Sequence, residues 1–256
     1  TVPDISQLIT GQADVAQIEA IDISDLLGRD MVPPDTNLLR HSIEQKSVLV
    51  TGAGGTIGSE LCRKILQAKP KRLILFDNSE FALYALEQHL LENELQVELV
   101  CLLGSVLDQA YMARILETFS VNTVYHAAAY KHVPIVEDNA EVAVENNIVG
   151  TYLLANTSKA FNVSNFVFIS SDKAVKPSNI MGVTKRFSEM IITGLNQEYE
   201  VKTQHVADKR TRFCIVRFGN VLALSLIHIS EPTRLRRMSY ALIWLKKKRG
   251  GVGGGG

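Results

Sequence analysis

Apolar residues along this chain follow two alternating rhythms. Short, nearly unbroken runs occur at Val48–Val50, Leu73–Phe76, Val97–Leu103, Thr123–His126, Phe166–Ile169 and Phe213–Phe218. Between them, apolar residues recur every three or four positions. Ile57, Leu61 and Ile65 form one such stripe, with Cys62 and Leu66 beside it. Phe81, Leu83, Leu86 and Leu90 form another, and similar stripes follow over 108–119, 142–160 and 179–195. The first rhythm is that of buried strands, the second that of amphipathic helices. Ser79 is the expected N-cap of the second helix. Strands alternating with helices of roughly 10–20 residues predict βαβ units in a parallel sheet. The expected fold is therefore α/β, a Rossmann-type doubly wound sheet with helices on both faces. Right-handed crossovers bring the loops that follow the strands to one edge. Gly52, Asp77, Ala127 and residues 170–173 are expected to meet there.

Both ends break the pattern. Residues 1–45 carry only two short helix-like stretches, Asp14–Ile18 and Ile23–Leu27, followed by Pro33-Pro34, and read as a lead-in or linker. Residues 46–223 read as the nucleotide-binding domain. From Leu224 onward the periodicity fails. The segment Leu224–Arg234 resembles the in-frame translation of a sequencing-library adapter, and the Lys and Gly runs behind it look like homopolymer read-through. A disordered basic tail with a glycine end is the alternative. Setting this tail aside changes the charge. Residues 224–256 hold seven of the 27 Lys and Arg but one of the 27 Asp and Glu, which leaves 20 basic against 26 acidic residues, a net of −6. The balanced charge of the whole chain thus conceals an acidic domain, and no basic patch argues for a nucleic acid partner. Cys62, Cys101 and Cys214 lie far apart without metal-binding spacing, so no metal site is expected. They read as buried apolar residues in a reducing compartment. No run of 18 apolar residues is present, so no membrane span and no signal peptide are expected within these residues. A chain beginning at Thr1 is expected to be a piece of a longer protein.

The candidate chemistry clusters after the strands. Thr51-Gly52-Ala53-Gly54-Gly55-Thr56-Ile57-Gly58 follows the first strand and opens the first helix. Strand, glycine turn and helix suit a nucleotide diphosphate. Gly52 permits the reversal, Gly55 a close approach of backbone to phosphate, and Gly58 close packing of helix on strand. Thr56 and Ile57 then begin a helix whose N-terminus attracts an anion. Asp77 ends the second strand at the distance expected for a carboxylate that accepts from adenosine ribose hydroxyls. This favours NAD, while Lys71 and Arg72 leave NADP open. An ordinary βα turn with a surface Asp is the plainer alternative. Asp172 and Lys173 adjoin at the end of the fifth strand and suit a general acid and base beside a redox ring. A helix-capping Asp beside a solvated Lys also fits. Lys185 follows on a helix, with Met181 one turn before it.

Taken together, Thr51-Gly52-x-x-Gly55-x-x-Gly58, Asp77, His126-Ala127-Ala128-Ala129, Asn147 ahead of Gly150-Thr151, and Lys185 resemble an extended short-chain dehydrogenase/reductase. Several segments are similar to the polysaccharide-biosynthesis (CapD-like) group, the UDP-N-acetylglucosamine 4,6-dehydratases. They are residues 75–80, 126–134 and 171–175, together with Asn179-Ile180-Met181-Gly182. The resemblance covers residues 22–223. It implies a UDP-sugar substrate and a tightly held NAD, with Gly52, Gly55, Thr56, Ile57, Gly58, Asp77, Ala127 and Lys185 at the cofactor. It also implies loss of water across sugar C5 and C6 while hydride passes from C4 to the cofactor and back to C6. Lys173 would be the C5 base, Asp172 the acid at O6, Ser171 the residue orienting the 4-hydroxyl, and Lys185 the holder of the nicotinamide ribose. Lys131, His132 and Asn220 would touch the substrate, although for Lys131 and His132 a structural role fits as well. Asn147 would hold a water or a backbone group near the site, or make an ordinary helix contact.

Two departures stand out. The superfamily's Tyr-x-x-x-Lys is Met181-x-x-x-Lys185, and a thioether is neither acid nor base. The large dehydratases resemble this chain in that Met. Ser105 stands where the family tends to have Asp. Residues 25–30 resemble the lead-in of membrane-anchored members. That implies a homo-oligomeric enzyme of the cytoplasm, or the cytoplasmic domain of an inner-membrane protein whose spanning segment precedes Thr1. The family's substrate-binding half follows Asn220, so this chain alone is expected to bind cofactor and not to turn over. A C5-inverting dehydratase, a nucleotide-sugar epimerase and a non-catalytic NAD-binding protein remain as alternatives.

Overall fold

The computed structural model describes residues 41–91, 97–202 and 210–219. The expected helices at Asp14–Ile18 and Ile23–Leu27, the candidate Asn220 and the tail from Leu224 lie outside the described residues. Six parallel strands form one sheet: β1 (Ser47–Thr51), β2 (Arg72–Asp77), β3 (Glu98–Leu103), β4 (Thr123–His126), β5 (Asn165–Ser171) and β6 (Arg212–Phe218). Their order is β3-β2-β1-β4-β5-β6. The chain winds outward from β1 to β3, then returns to β4 on the other side of β1. This reversal opens a crevice at the C-terminal ends of β1 and β4, where Thr51 pairs with His126.

The period-two alternation of the strands decides which helices cover which face. Val48, Val50, Leu73 and Leu75 point to one side. There they pack with Cys62 and Ile65 of α1 (Thr56–Gln67) and with Leu83, Leu86 and Leu90 of α2 (Glu80–Leu91). Leu49, Ile74, Phe76, Val124, Phe166 and Phe168 point to the other side. They meet α3 (Gln109–Thr118), and also Leu154 and Ile192 of two helices described below. Phe76, Phe166 and Phe168 are essentially inaccessible. Truncating a phenylalanine so placed typically costs about 3–5 kcal/mol.

Local signals start the helices where expected. Ala82 N–H donates to Ser79 Oγ at the start of α2, and Tyr111 N–H donates to Asp108 Oδ1 at the start of α3. Two features differ from expectation. The helix expected over 142–160 is α5 (Ala140–Val144), a π-helical turn (Glu145–Val149) and α6 (Gly150–Ala160), and a further short helix, α4 (Val133–Asp138), precedes it. The short α4 has too few residues to display a period. The π turn admits one extra residue, and it carries Asn146 and Asn147 into the interior. The last helix, α7 (Ile180–Lys202), extends past residue 195.

The cysteines also depart from expectation. Cys62 is buried, but Cys101 and Cys214 are only half-buried, because they sit on the edge strands β3 and β6. Burial pushes all three thiols up, Cys101 to about 12, aided there by the neighbouring Glu87. Among the described residues no helix is long and apolar enough to cross a membrane, and no group of His, Cys, Asp and Glu is placed to hold a metal ion.

Candidate functional site

The glycine turn between β1 and α1 is built by close contact. Gly52 adopts φ +68°, and a Cβ there would stand 2.6 Å from Ala128 N. A Cβ on Gly58 would stand 2.0 Å from Gly52 O, so only glycine lets α1 begin against the strand end. Gly55 is the N-cap of α1 in extended conformation, and no side chain caps this helix. Its first N–H groups and positive end therefore face the crevice without an anion of the protein's own, an arrangement that fits a diphosphate. Asp77 pins the turn: Oδ2 accepts from Gly54 N–H at 2.8 Å and Oδ1 from Ser79 N–H at 3.0 Å. Each carboxylate oxygen keeps a second lone pair for a ribose hydroxyl. Ser105, after β3, accepts from Leu107 N–H and shapes its own turn.

The end of β4 holds a buried relay. His126 is fully buried, with Nδ1 2.7 Å from Thr51 Oγ1 and Nε2 2.9 Å from Thr151 Oγ1. Thr151 spends its one hydroxyl proton on Asn147 O at 2.6 Å. It must therefore accept from His126, which fixes the Nε2–H tautomer and leaves Nδ1 to accept from Thr51. Burial, and then the nearby Lys185 charge, hold this imidazole at about 3, so it is neutral. One turn away Asn147 makes four hydrogen bonds. Oδ1 accepts from Tyr130 N–H and Asn146 Nδ2, while Nδ2 donates to Tyr130 O and Thr184 Oγ1. The π turn thus clamps the backbone of the loop after β4 to α7, the backbone-holding role anticipated for Asn147. Ala127 N–H donates to Thr51 O at the base of that loop. Beyond it, Lys131 Nζ donates to Thr56 Oγ1 at 3.3 Å. The Lys131 ammonium therefore stands at the N-terminus of α1. His132 precedes α4 and, with Tyr130, Lys131, Val136 and Ala143, lines an open cavity of about 400 Å³.

After β5 the chain makes a single 3₁₀ turn, Asp172–Ala174. Ser171 Oγ donates to Asp172 Oδ1 at 3.0 Å and accepts from Lys173 N–H. Lys173 Nζ lies 3.7 Å from Asp172 Oδ1, with side chains 42% and 56% exposed. An ion pair this exposed is weak, so both groups are free to turn toward a ligand. The turn packs on α7 through Gly182, where a Cβ would stand 2.6 Å from Lys173 O. Asn179 Oδ1 and Glu137 Oε1 accept from the Gly182 and Ile180 N–H groups at the start of α7. Met181 is buried against Val136 and Ala143. One turn on, Lys185 Nζ donates to Ile169 O at 2.9 Å and stands 4.7 Å from the centre of the Phe168 ring. Burial lowers this ammonium to about 8, against the opposing pull of Glu189.

Residues 48–226 match the family described as polysaccharide biosynthesis protein. The chain belongs to that family. Among its relatives, the capsular polysaccharide biosynthesis protein CapD of Staphylococcus aureus is 40% identical over 222 residues, 86% of this chain and 36% of CapD. The UDP-N-acetylglucosamine 4,6-dehydratase (inverting) of Campylobacter jejuni subsp. jejuni serotype O:23/36 is 28% identical over 178 residues, 69% of this chain and 49% of that enzyme. The solved structure of Pen from Bacillus thuringiensis matches with TM-score 0.63 and 32% identity, over 70% of this chain and 52% of that one. The chain thus spans between about a third and a half of the length of these relatives.

Within this polysaccharide biosynthesis chain, the structure brings Gly52, Gly55, Thr56, Ile57, Gly58, Asp77 and Ala127 to the crevice. It carries Ser171, Asp172, Lys173, Met181 and Lys185 on two touching elements. His132 and Lys131 both line the cavity, and the Lys131 ammonium also reaches Thr56 at the start of α1. Two features escaped sequence reasoning. One is the His126 relay, whose partners lie 75 and 25 residues away in the chain. The other is Glu189, a buried carboxylate that accepts from Ser170, Arg186 and Arg217. Its only trace in the sequence is an acidic residue one turn after Lys185 on the buried side of a helix.

Proposed function

We propose that this chain is the cofactor-binding half, residues 46–223, of a dehydratase that removes water from a UDP-N-acetylhexosamine such as UDP-N-acetylglucosamine and yields a UDP-4-keto-6-deoxy sugar. The observation that carries the reading is the Ser171–Asp172–Lys173 turn. It packs on the first turn of α7, in which the residue four before Lys185 is the buried, proton-inert Met181. A reductase would take its acid from that position. With Met there, acid and base must come from elsewhere, and Asp172 and Lys173 are the exposed, adjoining pair.

The uncapped α1 N-terminus, Gly52 and Gly58, the spare lone pairs of Asp77 and the buried Lys185 fit NAD. NAD held there would supply a hydride acceptor for sugar C4 and a hydride donor for C6. The protein residues do the proton work. Ser171 orients the sugar 4-hydroxyl. Lys173, in its free-base form, removes the C5 proton made acidic by the 4-ketone. Asp172 protonates the departing C6 hydroxyl and is replenished by the proton that the 4-hydroxyl gives up on oxidation, while Lys173 returns its proton to C5 as hydride reaches C6. Lys185 would hold the nicotinamide ribose. Lys131 adds a positive charge at the diphosphate, a cofactor role in place of the substrate role its sequence position suggested. His132 faces the sugar side.

The test has two arms. The chain itself should bind NADH, and Lys185→Met should abolish binding. In the protein extended to the full length of its relatives, Asp172→Asn should bind NADH normally yet form no 4-keto sugar from UDP-N-acetylglucosamine. Turnover retained by that variant would overturn the assignment.

A further inference from the structure

Glu189 is 2% exposed yet ionised, and its oxygens are fully used. Oε1 accepts from Ser170 Oγ at 2.8 Å and from Arg217 Nε at 2.7 Å. Oε2 accepts from Arg217 Nη2 at 2.7 Å and from Arg186 Nη1 at 3.1 Å. Burial alone would raise this carboxyl, but the bonds from Arg217, Ser170 and Arg186 outweigh it and hold it below the usual carboxylate range. With four donors on about four lone-pair sites it has no capacity left to act as a base. What it holds is informative. Ser170 and Arg217 are direct cross-strand neighbours at the C-terminal edge of β5 and β6. One helical turn before Glu189, Lys185 grips the carbonyl of Ile169. Two successive turns of α7 are therefore stitched to two successive residues of β5, and the next three residues are Ser171, Asp172 and Lys173.

We propose that Glu189 is a positioning residue whose carboxylate anchors the end of β5 and Arg217 of β6 to α7, and so fixes the Asp172–Lys173 turn relative to Lys185. The role of those residues rests on the dehydratase reading, but the anchoring does not. Glu189 also sets the charge around Lys185. The charged and titratable groups that act on that ammonium are Glu189 on its own helix, which carries Arg186 and Arg217 as partners, and the neutral His126 on β4. Glu189 is the anion that offsets the two arginines. Neutralising it leaves their charges uncompensated and makes Lys185 release its proton more easily.

The experiment is NMR on the chain labelled at lysine Cε and Nζ, with Lys185 assigned by loss of its signal in Lys185→Met. In the unsubstituted chain Lys185 titrates near 8. In Glu189→Gln the midpoint falls by about one pH unit, and the amides of residues 171–175 exchange about tenfold faster. A general loss of packing would not move the Lys185 midpoint in that direction. Ser170→Ala removes one hydroxyl and leaves the ion pair. It should speed exchange in residues 171–175 alone and leave the Lys185 midpoint in place. An unmoved midpoint in folded Glu189→Gln overturns the proposal. If Glu189→Gln does not fold, Ser170→Ala decides: faster local exchange supports the anchor, and unchanged exchange overturns it. Failure of the chain to bind NADH, with the Lys185 shift observed, would refute the cofactor reading and not this one.

Discussion

His126 should make the domain acid-labile by a calculable amount. The imidazole is fully buried, and burial together with the Lys185 charge lowers it from an ordinary 6.5 to about 3. The folded value is thus depressed, which for a histidine means the neutral form is the one that folds. Between pH 6.5 and about 3 the unfolded chain binds a proton that the folded chain refuses. The full contribution is present above 6.5 and is lost as the pH falls through that window, at about 1.4 kcal/mol per pH unit. At pH 5 the loss is about 2 kcal/mol relative to pH 7.5. With a urea slope of about 2 kcal/mol/M for a domain of this size, the midpoint should drop by about 1 M. Other groups titrate as well, so the comparison must be with a variant that lacks only this one. Gln carries a donor and an acceptor at the end of its side chain, and so His126→Gln retains partners for Thr51 and Thr151 without a titrating ring. Urea unfolding of both proteins at pH 7.5 and pH 5 gives the difference. If His126→Gln loses as much stability on acidification as the unsubstituted chain, the buried neutral histidine is not the cause and the relay is misassigned.

Three further outcomes are expected. Lys185→Met should stabilise the fold by about 1–3 kcal/mol in urea unfolding, because it removes a buried charge whose neighbour Glu189 keeps its own partners. The same variant should lose NADH binding. Gly58→Ala puts a Cβ 2.0 Å from Gly52 O. It should lower stability by about 2 kcal/mol or more and abolish NADH binding, measured by thermal unfolding and fluorescence titration. Lys131→Met should weaken NADH binding about tenfold and flatten its salt dependence. An unchanged NADH affinity would return Lys131 to the sugar side.

What the sequence made legible was the part of the structure written in neighbouring residues. Strand faces follow from alternation, and α1 from Gly52 and Gly58 six residues apart. Asp77 was found because it ends a strand, and Ser79 because it precedes an apolar stripe. The remainder depended on pairs distant in the chain. His126 reads as one more residue of a short strand until Thr51 and Thr151 are seen on its two nitrogens. Glu189 follows Lys185 by one turn on the buried side of its helix, but only the cross-strand placement of Ser170 with Arg217 reveals a partner set for its charge. From its place after β4, Lys131 read equally as a substrate residue or a structural one. Its direction toward Thr56 is a property of the loop that Asn147 clamps. The π turn could not be read at all, since a periodic stripe with one extra residue still looks like a helix.

That turn constrains how the chain can change. A π turn is in effect an insertion that the helix has absorbed, and removing one residue between Glu145 and Val149 would restore an unbroken α-helix. Each residue of a helix turns it by about 100°, so the deletion would rotate everything ahead of the cut by that amount. Asn147 would leave Tyr130, and the loop between cofactor and cavity would lose its clamp. A shortened chain of this kind would be the more regular protein and the less useful one. Length variation in this domain is therefore expected in the turns between helices and strands, and not within residues 145–149.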